Sequence, residues 1–321
     1  MRVRAKGADG VALNLNRRLA KAGVDVSSGL SIAERKPEWL RLHANMGPEY
    51  RSLKNLMREY SLTTVCEEAG CPNIFECWSD GTATFMINGE QCTRACGFCL
   101  VDTAKPMPID PMEAARVAEA VAEMHLSFAV ITAVARDDLP DGGAEAFART
   151  IEEIRSLNSG TGIEVLIPDC KGDPVSLERI FSQRPDVLNH NIETPLRLQR
   201  AVRTSASYAR SLAVLARAKS SGLVTKSGMI VGMGETMDEI RETIFDLRQV
   251  GVEILTVGQY LRPTVRHLPV MRYYTPEEFD EIGEFARRLG FAHVESRPTA
   301  RSSYHAKSGA LSAASATVAH K

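Results

Sequence analysis

The sequence lacks long apolar segments and lacks a strong charge of either sign. No apolar run approaches the roughly 20 residues that a membrane helix needs. The formal net charge is -1, which argues against a protein that binds nucleic acid through bulk electrostatics. With 321 residues, 44% hydrophobic and 25% charged, the composition is that of a globular protein. That length fits one α/β barrel or two small domains.

The N-terminal residues also lack the features of an export signal. MRVRAKGADGVALNLNRR has no apolar core, and although its arginines suggest a transit peptide, Asp9 and Asp25 count against one. We therefore expect a cytoplasmic protein, without a membrane or nucleic-acid partner. In a reducing compartment, the seven cysteines are better explained as ligands or catalysts than as disulfides.

Six of these cysteines form two groups of three, which we call triplets, and no fourth cysteine lies beside either group. The first spans CEEAGCPNIFEC and the second spans CTRACGFC; their members are Cys66, Cys71 and Cys77, then Cys92, Cys96 and Cys99. The remaining cysteine, Cys170, is interpreted as a buried small apolar side chain.

The incomplete triplets restrict the kind of metal site. Structural zinc prefers four ligands in paired C-x2-C knuckles, and neither triplet contains such a pair. An electron carrier of the ferredoxin type closes each cluster with four thiolates. A four-iron cluster held by three thiolates keeps one iron open, and an open metal position can bind a substrate or cosubstrate. The missing cysteine therefore predicts a catalytic site, with a non-catalytic iron–sulfur carrier as the alternative from a different class.

The two triplets together resemble the lipoyl synthase family of radical S-adenosylmethionine enzymes. C-x3-C-x2-C is the signature of the superfamily, and TVCEEAGCPNIFECW lies just upstream of it. Further stretches agree from about residue 36 to 306: KPEWLR, ATFMINGEQCTRACGFC, VITAVARDDLPDGGA, HNIET, KSGMIVGMGET, GQYLRP, HLPVMRYYTPEEF and RSSYHA.

Short apolar strands alternate with amphipathic helices after residue 80, which predicts βαβ units and a parallel sheet. The predicted strands are 83–88, 128–134, 164–169, 187–193, 226–232 and 254–261. Six units match the open (β/α)6 partial barrel that the resemblance implies. We divide the chain into an N-terminal extension (1–80), the barrel (81–290) and a C-terminal segment (291–321) whose Ala/Ser-rich tail is predicted to be disordered. The second triplet follows the first barrel strand, where active sites of α/β barrels lie.

Polar residues at several strand ends are candidate contacts for S-adenosylmethionine. They are Asp137, Asp138, Asn191, Glu193, Gly228, Gly232 and Glu235. The glycines would let the backbone approach an adenine closely. Each has a structural alternative: the aspartates could cap the next helix, Glu193 could be a solvated carboxylate, and the glycines could serve packing alone.

The resemblance implies two [4Fe-4S] clusters with different ligands. Cys92, Cys96 and Cys99 would hold the cluster that binds S-adenosylmethionine. Cys66, Cys71 and Cys77 would hold an auxiliary cluster whose fourth ligand is a serine of RSSY; we choose Ser303, with Ser302 as the less favoured option. A serine alkoxide is a harder ligand than a thiolate and should be easier to displace. Arg301 could hold that cluster electrostatically or be a surface charge.

The implied reaction is the insertion of two sulfur atoms at C6 and C8 of a protein-bound octanoyl-lysine. These carbons have no activating neighbour, so a radical from S-adenosylmethionine is needed, and the auxiliary cluster donates the sulfur. The implied partners are octanoylated carrier domains (dehydrogenase E2 subunits and the glycine cleavage H protein), an electron donor such as flavodoxin or ferredoxin, and a carrier that rebuilds the cluster.

Three residues depart from the usual pattern of the family. Phe75 and Arg297 stand where glycine is usual, and Cys170 stands where phenylalanine is usual. None of them removes a ligand, but they put the reaction rate and the stability of the auxiliary cluster in question.

Two alternative functions are less favoured. A sulfur-inserting enzyme of the biotin synthase type is the alternative within enzymes. A zinc-dependent nucleic-acid module is disfavoured by the cysteine spacing and the neutral charge.

Overall fold

The computed structural model describes residues 8–41, 60, 63–64, 73, 77 and 81–319. Within these residues, eight strands form one sheet in chain order, and β2 to β8 are parallel. Their bounds are β1 (Thr63–Thr64), β2 (Thr82–Ile87), β3 (Phe128–Ala133), β4 (Gly162–Leu166), β5 (Val187–Asn189), β6 (Thr225–Val231), β7 (Ile254–Gln259) and β8 (His293–Ser296). The short β1 pairs antiparallel with β2 at one edge.

Nine α-helices accompany the sheet in the described part of the chain. They are α1 (Ala8–Lys21), α2 (Glu113–Glu123), α3 (Ala144–Leu157), α4 (Pro174–Phe181), α5 (Leu196–Val202), α6 (Tyr208–Ser220), α7 (Met237–Gln249), α8 (Pro276–Arg288) and α9 (Ala306–Ala319). The connections between parallel strands carry α2 to α8, as the alternating pattern predicts. None of the described helices is both long enough and apolar enough to cross a membrane.

The core lies between the sheet and the surrounding helices. Alternate strand residues point to the helices, so Phe85 on β2 and Ile131 on β3 pack against Phe147 on α3. A second cluster joins β6 and β7 to α7 and α8 through Val231, Leu255, Ile244 and Phe279. Each helix therefore buries one apolar face on the outside of the sheet, as in an α/β barrel.

The six predicted strands are confirmed, but β4 ends at Leu166 and β5 ends at Asn189, three and four residues before their predicted ends. One further parallel strand was not predicted. Strand β8 pairs with β7 from Ile254↔His293 to Val257↔Ser296. Its sequence, HVES, has one apolar residue in four, so it lacks the apolar run by which the other strands are recognised. It lies in the segment 291–321, whose boundary with the barrel stays a prediction.

The prediction of a disordered tail is wrong for residues 307–319, because they belong to α9. Alanine has the highest helix propensity, and its small side chain lets a helix approach a sheet closely. Ala306 packs on Phe128 and Val130, and Ala313 packs on Val187 and Ile254. The composition alone predicts too little apolar surface to order this segment. The apolar residues at the beginnings of β3, β5 and β7 supply the surface on which the helix packs.

We expect Ala313→Asp to lower the free energy of unfolding by about 3 kcal/mol, because it buries an unpaired carboxylate. Ala313 is fully buried against Val187 and Ile254. The next residue, Ala314, is exposed, so Ala314→Asp is the matched control and should stay within about 0.5 kcal/mol of wild type. Urea denaturation of the apo-protein measures both. Equal stability of the two variants would show that α9 is not docked in solution.

Candidate active site

The loop that carries the second cysteine triplet leaves β2 and lies across the carboxyl ends of the strands. We call residues 92–99 the cysteine loop. Its backbone bonds to two neighbouring elements: Thr93 N donates to Ala135 O (3.0 Å), beyond β3, and Gly97 N donates to Val202 O (2.8 Å), in α5. An added Cβ at Gly97 would lie 2.7 Å from Leu268 Cδ1. The loop therefore needs glycine at this position in order to pack so closely.

The structure brings the three thiols of this loop into one electrostatic environment. Burial, together with smaller contributions from nearby Cys96 and Cys92, raises the pKa of Cys99 to about 12. Burial also raises the pKa of Cys96, and Arg203 partly opposes this. Cys92 Sγ accepts from two backbone amides, Arg94 N (3.4 Å) and Ala135 N (3.3 Å). Buried thiols bind as thiolates only when a cation offsets their burial, which suits a metal cluster.

The donor set fits a cluster better than it fits a single ion. Among the described residues, no three His, Cys, Asp or Glu side chains are placed to hold one metal ion. In a four-iron cluster each thiolate binds a different iron, so the thiols need not converge on one point. Cys92, Cys96 and Cys99 therefore suit the three-thiolate cluster that their spacing predicts.

Asn191 and Glu193 lie together beyond β5, near the thiols. Asn191 Nδ2 donates to Glu193 Oε1 (3.0 Å), and its buried Oδ1 has no hydrogen-bond partner within the described structure. The Glu193 carboxylate is among the charges that raise the pKa of both Cys96 and Cys99, so it acts electrostatically on these thiols. Burial raises the pKa of Glu193 itself. An unpartnered buried oxygen beside a thiol cluster is a natural contact for a polar cosubstrate.

Gly228 makes room for Asn191. An added Cβ there would lie 2.6 Å from Thr256 Oγ1 and 2.8 Å from Asn191 Oδ1. One layer nearer the amino ends of the strands, Lys226 Nζ and Glu164 Oε2 form a buried ion pair at 3.0 Å. The inner face of the sheet is therefore polar below Asn191 and Gly228.

In the loop after β6, the Glu235 carboxylate accepts hydrogen bonds from the backbone of the same loop. Glu235 accepts from Gly232 N and from Met233 N, the latter at 3.0 Å, and burial raises the pKa of Glu235. Gly232 has φ +107°, and an added Cβ would lie 2.8 Å from Arg272 O. Both predicted contacts are thus engaged within the protein and shape the loop.

The two predicted aspartates after β3 face arginines. Asp137 accepts from Arg94, whose hydrogen bonds hold the pKa of that carboxyl below its usual range. Asp138 forms a second pair with Arg136. Neither is the cap of α3: Asp141 accepts from the amides of Gly143 (3.0 Å) and Glu145 (2.8 Å) instead. Sequence reasoning missed Arg94, although its position between two cysteines was a signal.

Only part of the predicted auxiliary site lies within the described residues. Cys66, Cys71 and Phe75 lie outside the described residues. Cys77 N donates to Asn73 O (3.0 Å), and Asn73 Nδ2 donates to Thr299 O (2.8 Å). The first cysteine segment therefore contacts the chain just before residues 301–304, the RSSY turn. This contact joins positions 226 residues apart in the chain.

The RSSY turn reaches the inner side of the sheet beside β7. An added Cβ at Gly258 would lie 3.1 Å from the carbonyl carbon of Ala300 and 3.2 Å from Arg301 Nη1. Ser302 Oγ accepts from Asn191 Nδ2 at 2.6 Å, so the turn meets the residues beside the cysteine loop. Ser303 is half-buried in the turn. The structure thus brings the RSSY turn near both cysteine segments.

Comparison with known proteins shows the family to which the chain belongs. The profile of the radical SAM superfamily matches residues 86–247. The profile of the N-terminal domain of lipoyl synthase matches residues 13–71. A curated lipoyl synthase of Mycobacterium sp. (strain KMS) is 54% identical over 88% of this chain and 87% of its own length. The chain belongs to the lipoyl synthase family. A lipoyl synthase of Mycobacterium ulcerans is 53% identical over 94% of this chain and 92% of its own.

Solved structures with low sequence identity have the same fold as this lipoyl synthase family member. Streptococcus suis SuiB bound to the precursor peptide SuiA matches with TM-score 0.53 and 10% identity, over 92% of this chain and 67% of that one. HydG, a maturase of the [FeFe]-hydrogenase, matches with TM-score 0.52 and 12% identity, over 88% and 64%. These similarities confirm the predicted radical SAM fold, an open partial barrel, which has seven parallel strands in the described part of this chain.

Arg297 and Cys170, two of the departures from the usual family sequence, make defined contacts in the structure. Arg297 Nε lies 3.3 Å from Glu295 Oε2, and its Nη1 donates to Tyr304 Oη (3.2 Å), so this arginine braces the RSSY turn. Cys170 is buried in the core, which confirms its interpretation as a small apolar side chain, and burial raises its pKa to about 12. Both residues are accommodated by the fold.

Acid should destabilise this family member through His190, which lies next to Asn191. Its Nδ1 contacts Ile167 O (2.8 Å) and its Nε2 contacts Ser211 Oγ (2.9 Å), and burial followed by Arg203 lowers its pKa to about 4. Below pH 6.5 the unfolded chain binds a proton that the folded chain excludes, so stability falls as pH falls towards 4. We expect the wild type to lose about 2 kcal/mol more than His190→Gln between pH 7 and 5, measured by urea denaturation. Parallel pH profiles of the two proteins would contradict this.

Proposed function

We propose that this member of the lipoyl synthase family, a radical SAM sulfurtransferase, inserts two sulfur atoms at C6 and C8 of a protein-bound octanoyl-lysine. One observation carries the proposal: Asn191 donates both to Ser302 of the RSSY turn and to Glu193, whose carboxylate raises the pKa of Cys96 in the cysteine loop. A site for starting a radical and a site for donating sulfur would therefore lie on either side of Asn191.

Cys92, Cys96 and Cys99 would hold the first cluster. When bound, this cluster supplies the electron that cleaves S-adenosylmethionine and starts a radical reaction. Asn191, Glu193 and Gly228 would contact S-adenosylmethionine, because Asn191 Oδ1 is buried without a hydrogen-bond partner in the described structure and lies against Gly228. Asp137, Asp138, Gly232 and Glu235 bond within the protein, and we assign them to shaping the surrounding loops.

Cys66, Cys71, Cys77 and Ser303 would hold the auxiliary cluster, which supplies the sulfur. The hydrogen bond between Asn73 and Thr299 supports this grouping, since it joins the first cysteine segment to the RSSY turn. Asn191 also holds Ser302, so it fixes the turn relative to the radical site. The chain's own task is to hold both sites and the acyl chain in line and to exclude water that would quench a radical.

The substrate would arrive on a carrier protein. We propose octanoylated lipoyl domains of dehydrogenase E2 subunits and the glycine cleavage H protein as carriers, in the cytoplasm. Flavodoxin or ferredoxin would donate the electron, and an iron–sulfur carrier would rebuild the auxiliary cluster after each product.

The test is anaerobic reconstitution with iron and sulfide, followed by S-adenosylmethionine, dithionite and an octanoyl-lysyl peptide. Mass spectrometry should find a peptide with two added sulfurs and about two 5′-deoxyadenosines per product. If 5′-deoxyadenosine forms while the peptide stays unchanged, the substrate proposal is wrong, and a dethiobiotin assay then tests the biotin synthase alternative. If neither product forms on a protein that carries both clusters, the carrier alternative replaces the enzyme.

A further inference from the structure

Arg94 lies in the middle of the cysteine loop, between Cys92 and Cys96, with its side chain only 7% exposed. A buried guanidinium is costly unless anions and hydrogen bonds surround it. The identity and orientation of its partners therefore show what this arginine does for the loop.

Two carboxylates hold the guanidinium of Arg94. Asp137 accepts from Nε and from Nη2, each at 2.7 Å, in a two-pronged pair. Asp169, which is 0% exposed, accepts from Nη2 at 2.5 Å. The other oxygen of Asp169 accepts from Arg210 Nη1 at 3.2 Å. Two arginines and two aspartates compensate one another, so the network adds no formal net charge beside the thiols.

The network ties the cysteine loop to three other elements. Asp137 follows β3, Asp169 follows β4 and Arg210 belongs to α6. Thr93 adds a second connection to the end of β3, since its Oγ1 donates to Ala135 O (2.9 Å) and accepts from Asp137 N (3.0 Å). These contacts use only protein atoms and need no cluster.

We propose that Arg94, held by Asp137 and Asp169, is a positioning residue that fixes the cysteine loop before a cluster binds. This inference rests on the proposed role of Cys92, Cys96 and Cys99 as cluster ligands. A loop that must present three thiols at fixed positions loses less conformational entropy on binding when it is already ordered. The planar fork of arginine suits two carboxylates at fixed angles, which a lysine ammonium cannot reproduce.

A neighbouring pair provides a matched control. Arg136 donates to both oxygens of Asp138 at 2.9 Å, and its side chain is as deeply buried as that of Arg94. Its further hydrogen bond goes to Asn88 O (3.1 Å), which lies outside the cysteine loop. Asp138→Asn therefore weakens an arginine–aspartate pair of the same kind without touching the Arg94 network.

The test compares Arg94→Lys and Asp169→Asn with Asp138→Asn by hydrogen exchange in the apo-protein. In the first two variants, amides of residues 92–99 should exchange at least about tenfold faster, since each variant weakens a hydrogen bond between charged groups. Amides of β3 and β4 should keep their protection, and Asp138→Asn should keep wild-type exchange in the cysteine loop. Wild-type exchange in residues 92–99 of Arg94→Lys and Asp169→Asn, or an equal effect of Asp138→Asn, would overturn the proposal.

A spectroscopic readout separates positioning from simple stabilisation. After reconstitution and reduction, electron paramagnetic resonance should show a smaller change on addition of S-adenosylmethionine in Arg94→Lys than in Asp138→Asn. Equal spectral changes in both variants would overturn the proposal. If Asp169→Asn loses protection throughout the sheet, Asp137→Asn, whose carboxylate is 28% exposed, is judged by the same criteria. The exchange result stands even if wild-type protein fails to add sulfur, so the two proposals fail separately.

Discussion

Replacing Cys96 with alanine should abolish 5′-deoxyadenosine formation, with a loss of at least about a thousandfold, because residues that act as one unit lose nearly all activity together. Cys96 lies at the centre of the cysteine loop, and burial, with a smaller contribution from nearby Cys92, raises its pKa. The auxiliary triplet is untouched by this change. The iron content should therefore fall from about eight to about four atoms per chain, measured after reconstitution.

Cys170→Ala is the matched control for the loss of a thiol. Cys170 lies in the core, outside both triplets, and packs among apolar residues. This variant should keep the full iron content and wild-type 5′-deoxyadenosine formation. The assignment of the cysteine loop would be contradicted if Cys96→Ala still cleaved S-adenosylmethionine, or if Cys170→Ala lost as much activity.

Replacing Ser303 with alanine should separate the two halves of the reaction. Sulfur addition to an octanoyl-lysyl peptide should fall at least about a hundredfold, because the auxiliary cluster loses a ligand. Formation of 5′-deoxyadenosine should continue, since the cysteine loop is unchanged. Mass spectrometry of both products from the same reaction gives the ratio directly, independently of how much active protein is present.

Ser302→Ala is the control for the turn itself. Ser302 Oγ accepts from Asn191 Nδ2, so this variant loosens the turn without removing the proposed ligand. It should lower both products together, because Asn191 serves both sites. If Ser302→Ala uncouples the two products while Ser303→Ala does not, Ser302 is the ligand and the assignment of Ser303 is wrong.

The sequence was sufficient for the features that a local pattern encodes. Six parallel strands followed from short apolar segments that alternate with amphipathic helices, and the cysteine loop followed from its spacing. Strand β8 was missed because pairing with β7, rather than its own composition, makes it a strand. Helix α9 was missed because it is ordered by packing: Ala306 and Ala313 lie against apolar residues near the beginnings of the strands.

The site could be predicted as a set of strand ends but not as a set of contacts. Asp137 and Glu235 were expected to face a cosubstrate, yet they bond to Arg94 and to the amides of Gly232 and Met233. Only the folded chain decides which carboxylate meets an arginine, because the partners lie 43 residues apart in one of these pairs. Asn191 is different, since its buried Oδ1 has no hydrogen-bond partner among the residues that the structure describes.

The central claim is that one chain holds a radical site and a separate sulfur donor. The most direct measurement is a single turnover with protein reconstituted in heavy-isotope sulfide, in buffer that contains only light sulfur. The account predicts that both sulfurs in the product peptide are heavy, and that the auxiliary cluster is lost as product forms. A product that carries light sulfur, or full retention of the auxiliary cluster, would contradict the account.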